Sequence, residues 1–299
     1  MKPWILCVLL LGASLTPFAE AGDRPTVVVT FSILEDFARA VAGEHAEVVS
    51  LAPRGAEVHE YELRSIDFRA LEKADLVLYN GLNLEQWMGQ LRATVRDGVP
   101  VVSLAAESGV ETLPIVTGDY QGTPDPHVWM DPCKAASYLE VIARELARLA
   151  PDREPAFKAN AAAYRNELHG LYRDMARALG EIPEARRTLI TSEAAFVYFA
   201  DAFGFFHDGI WGTNSESEGT SRQLMRIMDL IEERQPSAIF WESTISSRYV
   251  ESVSIDTGVP YHGPLHVDSL AEPGSAADSY PGMMRENLRV LTEALHGGD

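Results

Sequence analysis

The sequence predicts an α/β protein in which two doubly wound parallel sheets are joined by one long backbone helix. Two observations predict this class. Short β-branched runs alternate with amphipathic helical patterns in both halves of the chain, which is typical of βαβ units and parallel sheets. Between the halves, a single helical period continues without interruption. A chain of 299 residues is long enough for one large or two medium domains.

The N-terminal half contains four predicted strands, each followed by a helical pattern. These strands are expected at Thr26–Thr30, Val48–Leu51, Leu76–Tyr79 and Val101–Leu104. Branched and apolar residues dominate them, as in strands that are buried on both faces. Helices are expected between the strands, where apolar residues recur every three or four positions, and again from Ala135 to Leu149.

The longest periodic stretch extends from Glu154 to Ile182, with one apolar residue every three or four positions. At 1.5 Å per residue, about 28 residues span roughly 40 Å. This is longer than a helix within one small lobe requires. We therefore interpret it as a strut along two lobes, and the alternative is a long helix packed on a single domain. The expected organisation is a signal peptide (1–21), an N-terminal lobe (22–153), a linking helix (154–182) and a C-terminal lobe (183–299).

The β/α alternation returns in the C-terminal half. Strands are expected at Thr188–Thr191, from Phe205, at Ala238–Trp241 and at Pro260–Tyr261. Ser192 is expected to cap a helix that carries several phenylalanines, since serine is a favoured N-cap residue. Further helices are expected around Leu224–Ile231, at Val250–Thr257 and from Pro281 to Leu295.

Charge and the N-terminus restrict the class of partner and the compartment. The formal net charge of −19 repels phosphate backbones, so no nucleic-acid partner is expected. The N-terminus has the features of a secretory signal: a positive start, an apolar run from Trp4 to Leu15, and the small-residue motif Ala19-Glu20-Ala21. Cleavage is expected after Ala21. Cys7 lies too early for a lipid-modified cysteine at that point. The expected product is a monomer that is exported to the periplasm without a lipid anchor.

His127 is the first candidate metal ligand. It follows Pro126 in the stretch Asp125–Pro132, where two prolines restrict the backbone, and neutral imidazole is a common metal ligand. A single histidine in a loop is more often simply hydrogen-bonded. Three further candidates, His59, Glu193 and Asp268, also follow predicted strands. Ligands of doubly wound sheets bind beyond the carboxyl ends of the strands, so two residues from each half predict a site in the cleft between the lobes.

Each of the other candidates also has a purely structural interpretation. Glu193 is expected in the first turn of a helix, where the helix dipole favours a carboxylate by ~0.3–1 kcal/mol. Asp268 precedes a serine and would suit a turn. His59 lies among glutamates that are typical of a solvated face. Only the joint placement of the four residues at strand ends favours a metal site.

Four ordered motifs carry a family resemblance across essentially the whole mature chain. They are Gly55–Glu62 with His59-Glu60-Tyr61-Glu62, Asp125–Pro132, Thr191–Phe196 with Tyr198-Phe199, and Val267–Leu270 followed by Asp278-Ser279-Tyr280. The chain resembles the metal-binding solute-binding proteins of bacterial ABC importers, the family of manganese, iron and zinc receptors. The resemblance implies two α/β lobes joined by a long helix, and His59, His127, Glu193 and Asp268 as metal ligands. It also implies delivery to an ABC permease in the inner membrane, driven by a cytoplasmic ATPase.

Two departures from the family pattern concern the site. Glu57-Val58 precede His59, where the family often has Asp-Pro, so a less rigid loop is expected. His266 lies two residues before Asp268 and, if both were on a strand, would point the same way, which makes His266 a candidate substitute ligand.

The ligand set predicts the metal. Zinc receptors of this family usually have a third histidine where this chain has Glu193, and many carry a histidine-rich loop between the first two ligands. No histidine lies between His59 and His127. Carboxylates suit Mn²⁺, and mixed nitrogen and oxygen sites suit Fe²⁺. We expect one Mn²⁺ as the bound ligand, with Fe²⁺ as the next choice and Zn²⁺ as an alternative.

Two other classes of protein remain open at this point. A metal-dependent hydrolase would need a vacant coordination position and a general base, for which Glu60 or His266 would serve. No HExxH or paired-metal motif is present, so an enzyme is not expected. An adhesin with a structural metal is the third class, and it predicts unfolding when the metal is removed.

Overall fold

The computed structural model of the protein describes residues 24–214 and 219–296. The predicted signal peptide, residues 1–21, and its cleavage site lie outside these ranges. Among the described residues, no helix combines the length and the apolar character that crossing a bilayer requires.

The N-terminal half is built on a four-stranded parallel sheet with strand order β2-β1-β3-β4. The strands are β1 (Thr26–Val29), β2 (Glu47–Ser50), β3 (Leu76–Tyr79) and β4 (Val101–Ser103). Val27 in the central strand β1 pairs with Val48 on one side and with Leu76 on the other. The strand order therefore reverses at β1, and such a switch point opens a crevice at the carboxyl ends of the strands.

Five helices connect and cover this sheet: α1 (Ser32–Ala42), α2 (Ser65–Lys73), α3 (Met88–Thr94), α4 (Leu104–Ser108) and α5 (Pro132–Leu149). The short helix α4 differs from the sequence expectation, in which β4 extends through Leu104. The strand ends at Ser103, whose hydroxyl accepts a hydrogen bond from the Ala106 N–H and so caps a helix that begins at Leu104.

The long helix α6 (Glu154–Gly180) has the predicted period and buries the predicted face, including Phe157, Leu168 and Met175. It packs against α1 and α5 of the N-terminal half. At its other end it packs against α7 (Val197–Phe203) and α10 (Tyr280–His296) of the C-terminal half. One helix thus contacts both halves of the molecule.

The C-terminal half contains β5 (Thr188–Glu193), β6 (Phe206–Trp211), β7 (Ile239–Glu242) and β8 (Tyr261–Leu265), together with α8 (Ser221–Arg234) and α9 (Arg248–Thr257). Its hydrogen-bonded pairs are β5–β6 and β7–β8, both parallel, and β5 lies beside β7. Parallel strands, covering helices and one long helix confirm the predicted α/β class.

The predicted helix start at Ser192 is wrong. Strand β5 continues through Glu193, which pairs with Trp211, and α7 begins only at Val197. Gly209 on β6 lies so close to the Glu193–Ala194 backbone that any side chain there would collide with it. This close approach lets β5 remain paired to its end. Glu193 is therefore a strand-end residue, and the helix-dipole interpretation of its carboxylate does not apply.

The main hydrophobic core is shared by the two halves, with Phe31 and Trp129 from one and Phe199 and Tyr280 from the other. Polar contacts of Trp129 join the halves directly. Its indole donates to the carbonyl of Val267 at 2.7 Å, and its own carbonyl accepts from the Tyr280 hydroxyl at 2.5 Å. These bonds hold the segment after His127 against the segment that carries Asp268.

Candidate metal centre

The four predicted ligands all lie at the carboxyl ends of strands or in the loops beyond them. His59 is in the loop after β2, and His127 precedes a short 3₁₀ turn at Val128–Met130. Glu193 ends β5, and Asp268 follows β8 by three residues. All four side chains are fully buried. A cluster of two imidazoles and two carboxylates without solvent contact requires a compensating partner.

The donor atoms of these four residues converge. One ligand atom from each residue lies within 4.8 Å of the others. Glu193 Oε1 is 3.4 Å from His59 Nε2 and 3.7 Å from His127 Nε2, and Asp268 Oδ1 is 3.5 Å from His127 Nε2. Atoms that each bind one ion at ~2.0–2.2 Å stand roughly 3–4.5 Å from one another. The separations therefore fit a single ion at the centre.

Each of the four residues also has a buried polar atom with no hydrogen-bond partner among the described residues. These atoms are His59 Nε2, His127 Nε2, Glu193 Oε2 and Asp268 Oδ1. Leaving one buried polar atom unpaired costs about 1–3 kcal/mol. Four such atoms in one place are all available to a cation.

Asp125 fixes the orientation of His127. Its Oδ1 accepts from the His127 backbone N–H at 2.8 Å and lies 3.0 Å from ring Nδ1. A carboxylate at that distance requires Nδ1 to carry a hydrogen, so Nε2 is left to bind a metal. Burial alone would lower the pKa of His127, but the Asp125 and Glu193 carboxylates outweigh it and hold this pKa well above its usual value.

Glu57 and Thr213 orient His59. The His59 backbone N–H donates to Glu57 Oε1 at 2.5 Å, and ring Nδ1 lies 3.2 Å from the Thr213 hydroxyl. Burial lowers the pKa of His59 to about 4, so its ring is neutral at neutral pH. The Glu57 carboxylate thus holds the backbone of His59 directly at the position where the family often has Asp-Pro.

The two carboxylates have opposite electrostatic environments. Burial raises the pKa of Glu193 well above its usual value, although the charge of His127 opposes the shift. Burial also acts to raise the pKa of Asp268, but the nearby charge of His127 outweighs it and lowers this pKa.

Two residues that contact Glu193 have no signal in the sequence analysis, Asn214 and Glu242. The Asn214 backbone N–H donates to Glu193 Oε1 at 2.9 Å, and Glu242 Oε1 accepts from the Glu193 N–H at 3.3 Å. Burial raises the pKa of Glu242 to about 8. Glu242 ends a strand beside β5, a position that could have suggested it. Nothing in the sequence distinguishes Asn214 from an ordinary loop asparagine.

His266 does not belong to the converging group among the described residues. Strand β8 ends at Leu265, so the alternation that would aim His266 and Asp268 in one direction is absent. The His266 backbone instead exchanges two hydrogen bonds of 2.7 Å with the Asn287 amide on α10. The structure therefore does not support His266 as a substitute ligand.

Two parallel-sheet halves, a shared long helix and a buried cluster of nitrogen and oxygen donors define a metal-binding protein of the periplasmic receptor class. The chain belongs to the family of the periplasmic zinc-uptake complex component A, whose model matches residues 27–294.

The relatives of this chain span several metals. It is 37% identical over 284 residues to the manganese-binding lipoprotein MntA of Halalkalibacterium halodurans, covering 95% of this chain and 93% of the relative. It is also 37% identical over 276 residues to the iron-binding protein YfeA of Yersinia pestis, with 92% and 87% covered. The two relatives are thus named for different metals, manganese and iron.

Solved structures have the same fold. The Mn-bound S38A mutant of a periplasmic metal-binding protein from candidatus liberibacter asiaticus matches with a TM-score of 0.84 and 28% identity, covering 91% of this chain and 99% of that one. The periplasmic zinc-binding protein TroA from Treponema pallidum matches with a TM-score of 0.84 and 29% identity, covering 92% and 99%.

The family defines the general function. Its members are the metal-binding components of ABC transporters, which work with a permease and an ATPase, so this chain is a transport protein and not an enzyme. They act in the periplasm or otherwise outside the cytoplasm. Several relatives are named as lipoproteins, which differs from the expectation that this chain carries no lipid anchor.

Proposed function

We propose that His59, His127, Glu193 and Asp268 together bind one divalent transition metal, and that Mn²⁺ is the preferred cargo with Fe²⁺ next. The observation that carries this proposal is the convergence of four fully buried donor residues within 4.8 Å. The protein captures the ion outside the cytoplasm and delivers it to its permease.

The donor set supports manganese over zinc. Two imidazole nitrogens and two carboxylates form a harder site than three imidazoles, and Mn²⁺ accepts carboxylate oxygen readily. Glu193 Oε1 faces the imidazoles, and Oε2 is buried without a hydrogen-bond partner among the described residues, which leaves both oxygens available to an ion. A bidentate carboxylate raises the coordination number above the four that zinc favours. Zinc remains the alternative cargo because N/O sites bind it more tightly than manganese in general.

The proposed organisation is a lobe of residues 22–153, a linking helix of residues 154–182 and a lobe of residues 183–299. Contacts of α6 with helices from both halves support the role of a strut. Metal would stabilise the closed arrangement, because each lobe contributes two of the four ligands. A continuous helix resists bending, so small-angle scattering should detect only a small compaction when metal binds. A large compaction would contradict a rigid strut.

The proposed mature protein is a periplasmic monomer released by signal cleavage. Intact-mass analysis of the exported protein tests this, because cleavage after Ala21 gives a chain that starts at Gly22. An added acyl mass would place this protein with its lipoprotein relatives.

The experiment that tests the proposed cargo is elemental analysis of protein purified without added metal, followed by competition among Mn²⁺, Fe²⁺ and Zn²⁺. The proposal predicts one equivalent of metal and retention of manganese or iron at the metal concentrations of the periplasm. Purified protein that contains only zinc, and that does not bind manganese in the absence of zinc, would contradict the choice of metal. A chain that binds no divalent metal would contradict the site itself.

A further inference from the structure

Asn214 lies in the turn after β6, and it contacts three carboxylates around the cluster. Its amide Nδ2 donates to Glu57 Oε2 at 2.9 Å and to Asp268 Oδ2 at 3.4 Å. Its backbone N–H donates to Glu193 Oε1 at 2.9 Å. The side chain is buried. One residue thus holds a carboxylate of the N-terminal half and two carboxylates of the C-terminal half.

Trp211 fixes the direction of this amide. The indole Nε1 donates to Asn214 Oδ1 at 2.8 Å. Because an indole can only donate, the amide oxygen must face Trp211 and the amide NH₂ must face the carboxylates. Trp211 is fully buried at the end of β6. The Asn214 amide is therefore held by an indole whose own position is fixed by strand β6.

The two oxygens of Asp268 consequently differ. Oδ1 is 3.5 Å from His127 Nε2 and has no hydrogen-bond partner among the described residues, so it is available to an ion. Oδ2 faces the Asn214 amide. Binding an ion through both oxygens would require Oδ2 to give up that amide. For Glu193, by contrast, Asn214 supplies only a backbone N–H, and Oε2 stays available.

We propose that Asn214 is a positioning residue that restricts Asp268 to one metal-binding oxygen and thereby sets the manganese-to-zinc preference of the site. This inference rests on the proposed function, in which the four residues bind a divalent metal. Each additional carboxylate oxygen raises the coordination number, which Mn²⁺ accommodates and which departs from the tetrahedral geometry of zinc. The Asn214 amide therefore makes this site more favourable to zinc than a site in which both carboxylates were bidentate.

The test compares Asn214→Ala and Asn214→Leu with the wild-type protein. Leucine keeps the side-chain volume but cannot donate, so an effect common to both variants does not arise from a cavity. Asn160→Ala is the matched control, because its amide donates to the Val41 carbonyl at 3.0 Å on the distant face between α6 and α1. The dissociation constants of Mn²⁺ and Zn²⁺ are measured by competition with a chromophoric chelator, and the absorption of bound Co²⁺ reports coordination number.

Both Asn214 variants should bind zinc about 10- to 100-fold more weakly, the usual effect of removing a residue that holds a metal ligand. Manganese binding should weaken less, so the ratio of the two affinities moves toward manganese. The absorption of bound Co²⁺ should become weaker as the coordination number of the ion rises. Asn160→Ala should change neither the ratio of affinities nor the Co²⁺ spectrum. Equal weakening of both metals, or an unchanged ratio and an unchanged Co²⁺ spectrum, would overturn the role of Asn214. A wild-type protein that binds none of these ions would instead overturn the proposed function.

Discussion

The two halves of the molecule contribute chemically different parts of one site. The N-terminal half supplies both imidazoles, and each is oriented by a neighbouring carboxylate, Asp125 for His127 and Glu57 for His59. The C-terminal half supplies both carboxylates of the cluster, Glu193 at the end of β5 and Asp268 in the loop after β8. Hydrogen bonds hold the two imidazoles in position. The two buried carboxylates instead need a nearby cation, because a buried negative charge is unfavourable without one.

This difference indicates how the site is completed. Hydrogen bonds hold the imidazoles in place without metal, whereas the carboxylates repel each other when both are ionised. The charge of His127 acts to lower the pKa of both carboxylates, so a proton on His127 offsets part of this repulsion in the metal-free protein. A divalent ion would replace that proton and attract both acids. The C-terminal half therefore depends on the ion more strongly than the N-terminal half.

The largest expected effect comes from removing a charge on the carboxylate side. Asp268→Asn should weaken manganese binding by more than about 100-fold, because changes to residues that merely hold ligands already cost about 10- to 100-fold. Asp131→Asn is the matched control, since Asp131 is also a buried aspartate but serves as the N-cap of α5. Calorimetric titration with Mn²⁺ measures both. An equal loss of manganese affinity in the two variants would mean that Asp268 matters no more for metal binding than a buried structural aspartate.

Converting part of the carboxylate side to imidazole should change the choice of metal. Glu193→His replaces two oxygens by one nitrogen, which lowers the coordination number and softens the site. The ratio of zinc to manganese affinity should rise by about tenfold or more, equivalent to ~1.4 kcal/mol. Competition between the two ions measures this ratio. If it does not change, the carboxylates do not determine the metal.

Metal affinity should also fall with pH, because the ion must displace a proton. The pKa of His127 is raised above 6.5, so the metal-free protein holds this proton at neutral pH, and binding becomes weaker as pH falls below that raised pKa. The expected slope is about tenfold in affinity per pH unit between pH 6.5 and 5.5 for one displaced proton. His59, with a pKa of about 4, adds no proton in this range. Affinity that is constant over this interval would contradict the displacement of a proton from His127.

The smallest effect is expected away from both ligand sets, on the linking helix. The Tyr164 hydroxyl donates to Asp36 on α1, and Tyr164→Phe removes this bond. The free energy of unfolding should fall by about 1–2 kcal/mol, since a part-buried acceptor loses a donor. Denaturant unfolding measures the change. Metal affinity should stay within about twofold of the wild type. A large loss of affinity would mean that the helix takes part in binding beyond its role as a support.

Most of the fold could be predicted because its signals are local. Strand β1 and helix α6 follow from a β-branched run and from a regular apolar period, and both lie within two residues of their predicted bounds. The end of β5 could not be predicted. Ser192 has the chemistry of a helix cap, but pairing with β6 and the close approach of Gly209 keep Glu193 in the strand. Pairing across distant segments overrides the local preference.

The site shows the same limit. His59, His127, Glu193 and Asp268 could be proposed from motifs and from their positions after strands. Asn214 could not, because its importance comes from the three carboxylates that the fold brings around it. Residues that act on a metal through its ligands have no sequence signal of their own when only one sequence is available.

The proposed four-residue metal site is tested most directly by anomalous diffraction from crystals grown with one equivalent of Mn²⁺. One anomalous peak is expected in the cleft, with His59 Nε2, His127 Nε2, a Glu193 oxygen and Asp268 Oδ1 all within bonding distance of it. A peak elsewhere, or an ion bound by the imidazoles while both carboxylates remain out of reach, would contradict it.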